Sequence, residues 1–149
     1  MTKAEECKQA GHRCCGLTLV RLVLGIIFFM HGSQKVLGWN GGHGLTATVQ
    51  MMTSMGLPAV LAYMVSFGEL LGGIGLIFGV LSRLAAAGIA IIMIGAITTV
   101  HLKNGFFMEN HGFEYPLALA AMALSIVIGG GGCISVDSFC CKKKTAEAS

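Results

Sequence analysis

Charge is what this sequence has least of. Lys, Arg, Asp and Glu make up 11% of its 149 residues, against about 25% in an average soluble domain. Hydrophobic residues reach 54%, and the mean hydropathy is +0.77. A water-soluble fold of this size cannot hide so much apolar surface. The composition therefore indicates a single integral membrane domain, with the lipid bilayer as its first partner. The formal charge of +3 carries no message about nucleic acid, which is not expected as a partner. Basic residues in a membrane chain mark the cytoplasmic side first.

Other absences narrow the chemistry. The chain has no nucleophile elbow, P-loop or zinc motif. It has no flavin or nucleotide fingerprint and no internal repeat. No small-residue cleavage site follows the first apolar run, so that run reads as a span and not a signal peptide. Proline is scarce, with two residues, and Pro58 suits the first turn of a helix. The six cysteines, Cys7, Cys14, Cys15, Cys133, Cys140 and Cys141, contain no CxxC pair. That argues against a disulfide-generating bundle with a redox pair on its outer face. All six are expected at the cytoplasmic side, where thiols stay reduced. Two vicinal pairs are able to hold a soft metal, but no ligand spacing supports one and no metal is assigned.

What is present is a series of long apolar runs. The first span is expected at about Gly16 to Leu37, the second at Pro58 to Leu81, the third at Leu84 to Val100 and the fourth at Tyr115 to about Gly129. Residues 1–15 read as a polar tail, 16–137 as the membrane domain and 138–149 as a Cys/Lys tail. Between the first two spans, WNGGHG (39–44) is turn-forming, and Leu45 to Met55 reads as a short helix at the interface. GGGG (129–132) loosens the chain before CISVD. An even number of spans places both termini on one side. Eight of the ten Lys and Arg residues fall there, which predicts cytoplasmic termini. Short connections favour neighbouring antiparallel helices. The expected fold is all-α, a membrane-spanning antiparallel four-helix bundle.

One carboxylate dominates the candidate chemistry. Glu69 is the single charge in Leu57–Leu81, near its middle, where an unpaired charge costs several kcal/mol. It reads either as a proton-titrating or ligand-binding group, or as half of an ion pair with Arg21 that fixes helix register. Arg21 is alternatively free to snorkel to the inner headgroups. At about 100° per residue, Arg21, Gly25, Phe28, Gly32 and Lys35 form one stripe of the first span. Glycines beside Glu69 mark its packed side and admit a close neighbour. His31, Gln34, Lys35 and His101 share the outer third of the membrane. They read either as a pocket for a quinone headgroup, with Phe28 and Phe67 holding the ring, or as an interface layer of snorkelling groups. Two histidines alone are too weak a signal for a bis-histidine haem.

The order RLVLGIIFFMHGSQKVLG (21–38), GELLGGIGLIFGVLSRLAA (68–86), HLKNGFF (101–107), GGGGCISVD (129–137) resembles the DoxX family of small four-span membrane proteins. The match covers nearly everything from Arg21 to Asp137. The family pattern falls here on Arg21, Gly32, Lys35, Glu69, His101, Ser135 and Asp137. Members are described as oxidoreductases of bacterial membranes, some as subunits of a thiosulfate–quinone oxidoreductase. The resemblance thus implies an inner-membrane redox subunit; with the polar groups read above, Glu69 and His101 are the expected reacting groups and Arg21, His31, Gln34 and Lys35 the expected ligand-binding ones. Quinone is the candidate cofactor, and a soluble redox protein or a second copy of the chain the candidate partner. The cysteine pairs and the WNGGHG loop stand outside the pattern. Two other functions remain open on the sequence: a proton-coupled transporter built on Glu69, and a non-catalytic membrane anchor for a redox complex.

Overall fold

A computed structural model describes residues 3–137, with side chains from Cys14 onward. Among these residues the chain forms five α-helices and no strand: α1 (Lys3–Leu37), α2 (Gly44–Ser54), α3 (Ala59–Phe78), α4 (Ser82–Ala96) and α5 (Glu114–Gly129). The helix of α1 runs through most of the stretch read as an N-terminal tail, so its apolar part begins at Cys14 well inside a longer rod. The tail at 138–149, with Cys140 and Cys141, lies outside the described residues.

Three helical stretches are long and apolar enough to cross a membrane: Cys14–Leu37, Ala59–Phe78 and Ser82–Asn104. The last continues α4 through a π turn at Ile97–His101 and a 3-10 turn at Leu102–Asn104. Thr98 and Thr99 donate back to the carbonyls of Ile94 and Gly95 there, a bonding mode that competes with the regular ladder. α5 is apolar but shorter, at 16 residues.

The four apolar helices close a ring. α1 packs on α3 and α5, and α4 packs on α3 and α5. Leu24, Phe28, Leu76, Ile89, Met93, Leu119 and Ile126 fill its centre. Large apolar groups such as Val60, Ile91 and Ile128 point outward, as lipid requires. α2 lies against α1 and α3, burying Thr48 and Val49.

The closest contact is between α1 and α3, and glycine makes it. A Cβ at Gly32 would run into the backbone of Leu70, one at Gly73 into the backbone of Phe29, and one at Gly25 would lie 2.9 Å from the Ile77 nitrogen. The stripe expected on the first span does face α3: Arg21, Gly25, Phe28 and Gly32 are all buried. On α3 the labour divides. Gly73 meets α1, whereas Gly68 and Gly72 meet Ile92 and Ile89 of α4.

After α5 the chain turns at Gly130 and Gly132, both at positive φ, and lays residues 133–137 across the α3–α4 connection. This strap is tied by the Asp137 N–H to the Gly79 carbonyl, 3.1 Å.

Candidate functional site

The register of α1 on α3 decides which charges meet. Residues 25, 29 and 32 lie beside 77, 73 and 70, so Glu69 is level with Ser33. Arg21 is twelve residues further down α1, about 18 Å by helical rise. The expected Arg21–Glu69 pair therefore does not form. Glu69 pairs instead with Lys35, Nζ to Oε1 at 2.6 Å. The Glu69 side chain is 4% exposed and that of Lys35 24%. Oε2 of Glu69 is buried and has no hydrogen-bond partner among the described residues. The result is a nearly dry carboxylate with one oxygen on an ammonium and the other buried without a partner, beside a lysine side chain that is partly exposed. α2 packs on both helices that carry the pair.

The other outer candidates are each held locally. His31 Nδ1 lies 2.9 Å from the Ile27 carbonyl of its own helix. Gln34 donates to the Asn40 carbonyl, 3.2 Å, and its backbone is in close contact with Gly42. It thereby folds the WNGG turn onto the end of α1. His101 Nδ1 lies 2.7 Å from the His111 carbonyl, which also accepts from Asn104. It serves the loop between α4 and α5. Phe28 belongs to the core, and Phe67 is 40% exposed, so the two do not form the walls expected of a ring site.

Arg21 belongs to a second polar centre at the opposite end. It is 2% exposed and donates from Nη2 to the Ile134 carbonyl, 2.7 Å. Its Nε and Nη1 have no hydrogen-bond partner among the described residues. Asp137 accepts the backbone N–H groups of Leu81 and Ser82 at 2.9 and 2.8 Å. Burial pushes the Asp137 carboxyl up, but the Ser82 and Leu81 N–H donors and the Arg21 charge outweigh it and hold the carboxyl below its ordinary value. The first turn of α4 thus receives from the strap the acceptor its own sequence lacks, since Leu81 stands at its N-cap. Gly79 must be glycine: it is left-handed, and a Cβ there would overlap Arg21 and Ser135.

The cysteine reading also needs correcting. Cys14 and Cys133 form a disulfide, with Cα atoms 5.2 Å apart. Their separation of 119 residues hid it, because only the return of the strap to α1 brings them together. Cys15 is an exposed free thiol.

Comparison with known proteins agrees with this architecture. The DoxX family model matches residues 16–102. "Putative oxidoreductase CatD" of Bacillus subtilis (strain 168) is 39% identical over 129 residues, 87% of this chain and 90% of that protein. "Inner membrane protein YqjF" of Escherichia coli (strain K12) is 29% identical over 134 residues, 86% and 94% of the two chains. No solved structure matches.

Proposed function

The chain belongs to the DoxX family, and on that premise we propose that it is an inner-membrane oxidoreductase subunit that binds a quinone headgroup at the Lys35–Glu69 pair, with both termini cytoplasmic. One observation carries the reading: a carboxylate 4% exposed, paired through one oxygen to a lysine that is itself partly open. A dry ion pair made only for packing needs both oxygens satisfied. This pair leaves a buried carboxylate oxygen without a partner beside a partly exposed lysine, so a ligand hydroxyl entering beside Lys35 would find an acceptor waiting. Lys35 donates a hydrogen bond to a quinone carbonyl oxygen. Lys35 passes one proton to the reduced oxygen, Glu69 accepts a hydrogen bond from the hydroxyl so formed, and the second proton comes from water. Reduction of a quinone takes two electrons and two protons, and the electrons come from a soluble redox protein, since the chain carries no flavin or nucleotide motif. The charge asymmetry supports the orientation, and the name of the Bacillus relative agrees with redox work.

The test is binding of a short-chain benzoquinone to the purified protein in nanodiscs. Wild type is expected to bind, and Lys35→Met and Glu69→Gln to bind at least tenfold more weakly while staying folded. Equal binding by all three, or none by wild type, would sink the proposal. Proton-coupled uptake by liposomes holding wild type but not Glu69→Gln would favour a transporter.

A further inference from the structure

Neither the quinone reading nor the polar centre around Arg21 uses the sulfur chemistry. Cys14 and Cys133 are bonded, and the next residue, Cys15, presents an exposed thiol. Cys133 is also exposed, on the strap just after the positive-φ Gly132. Among the described residues, Arg21 and Arg83 lie at this end, and Lys3, Lys8 and Arg13 fall on the part of α1 that leads away from it. Disulfides in a reducing compartment are usually transient, catalytic or redox-sensing, and stable staples belong to oxidising ones. A disulfide on the cytoplasmic side, with one of its cysteines at an exposed position, has the access that exchange needs.

We propose that Cys14 and Cys133 are a redox-active dithiol–disulfide couple that exchanges with a soluble small-molecule thiol of the glutathione class. The assignment rests on the cytoplasmic placement of the termini given above, and not on the quinone site. The thiolate of one small molecule attacks Sγ of Cys133. The bond to Cys14 breaks, and Cys14 leaves as a thiolate that takes a proton from water. A second small-molecule thiolate attacks the mixed disulfide on its non-protein sulfur. The small-molecule disulfide departs, and Cys133 is left as a thiolate that is protonated in turn. One protein disulfide and two small thiols become two protein thiols and one small disulfide, so two electrons enter the protein. The reverse sequence closes the bond. The quinone site is not in direct contact with this couple, because Lys35 lies 21 residues along α1 from Cys14, about 30 Å by helical rise.

The closing experiment equilibrates the full chain, carrying Cys7→Ser, Cys140→Ser and Cys141→Ser, in glutathione buffers of graded reduced-to-oxidised ratio. After denaturation, a maleimide of large mass counts the free thiols. The expected result is one label, on Cys15, in oxidising buffer and three in reducing buffer, with Cys14 and Cys133 appearing together. Adding Cys15→Ser should remove one label at every ratio and leave the midpoint in place. Three labels at every ratio would show that the couple does not form. One label at the most reducing ratio would show a sealed structural staple. Either outcome overturns the proposal, and neither depends on quinone binding. A separate reporter fusion tests the orientation, and termini found on the outer face would remove the reducing-compartment argument.

Discussion

At the scale of single residues, two buried or half-buried carboxylates do different work. Glu69 is held by one lysine in a dry setting. Removing one partner of a buried pair leaves the other uncompensated, at a cost of roughly 3–5 kcal/mol. Lys35→Met is expected to lower stability by about that amount, less whatever Glu69 regains by taking up a proton. Adding Glu69→Gln should restore most of the loss, as read by unfolding in mixed detergent micelles. Asp137 is instead a detached cap for α4, and capping residues are worth about 1 kcal/mol. Its carboxyl sits below the ordinary value of 3.8 in the folded state. Its contribution is therefore fully present above that value and is lost as pH falls through the lower, folded one. Asp137→Asn replaces one of the two accepting oxygens and should cost about 1 kcal/mol near neutrality, and its deficit against wild type should shrink below pH 3.8. A deficit unchanged across that range in acid melts would remove the charged cap from the account. That Glu69 needs a charged partner was legible in the sequence, from its place in the middle of an apolar run. The partner of Glu69 was not, because one helix stripe holds both Arg21 and Lys35, and only the register on α3 chooses between them.

At the scale of helices, glycine placement is the specification. Gly25, Gly32 and Gly73 let two backbones touch, while a Cβ added at Gly88 or Gly95 would meet nothing within 4 Å. Gly73→Ala should destabilise by about 1–3 kcal/mol, since forced overlap in a packed contact moves the backbone. Gly88→Ala should be neutral or slightly stabilising, because alanine is the better helix former. Thermal melting of the two purified variants in one detergent makes the comparison. The apolar helices were readable from run length, and the face of α1 from its stripe. The sequence alone could not say that Gly72 serves α4 and its neighbour Gly73 serves α1. Adjacent residues differ by about 100° on a helix, and either direction offered an apolar partner.

At the scale of the whole molecule, a closed ring of four apolar helices is fastened at one end by the strap and filled by one core. If the basic residues set its orientation, a reporter that is active only in the cytoplasm should work when fused after Ser149. Activity of an outer-face reporter at the same position would reverse the placement. The ring itself was legible, since its helices are the longest apolar runs in the chain. Its fastening was not. Arg21, Gly79, Ser82 and Asp137 lie on four separate segments, and no period or spacing in the sequence relates them.

The strap also sets an order of events during biogenesis. A ribosome translates α3 and α4 before it reaches residue 137. Until then the leading amides of α4 find only water, and the Arg21 guanidinium has no Ile134 carbonyl to engage. A chain truncated after residue 130 and released from the ribosome should hold every apolar helix in the bilayer with its first and last segments still unlatched. Completion of the polypeptide, and not insertion of its helices, is then the moment at which a membrane protease loses its opportunity.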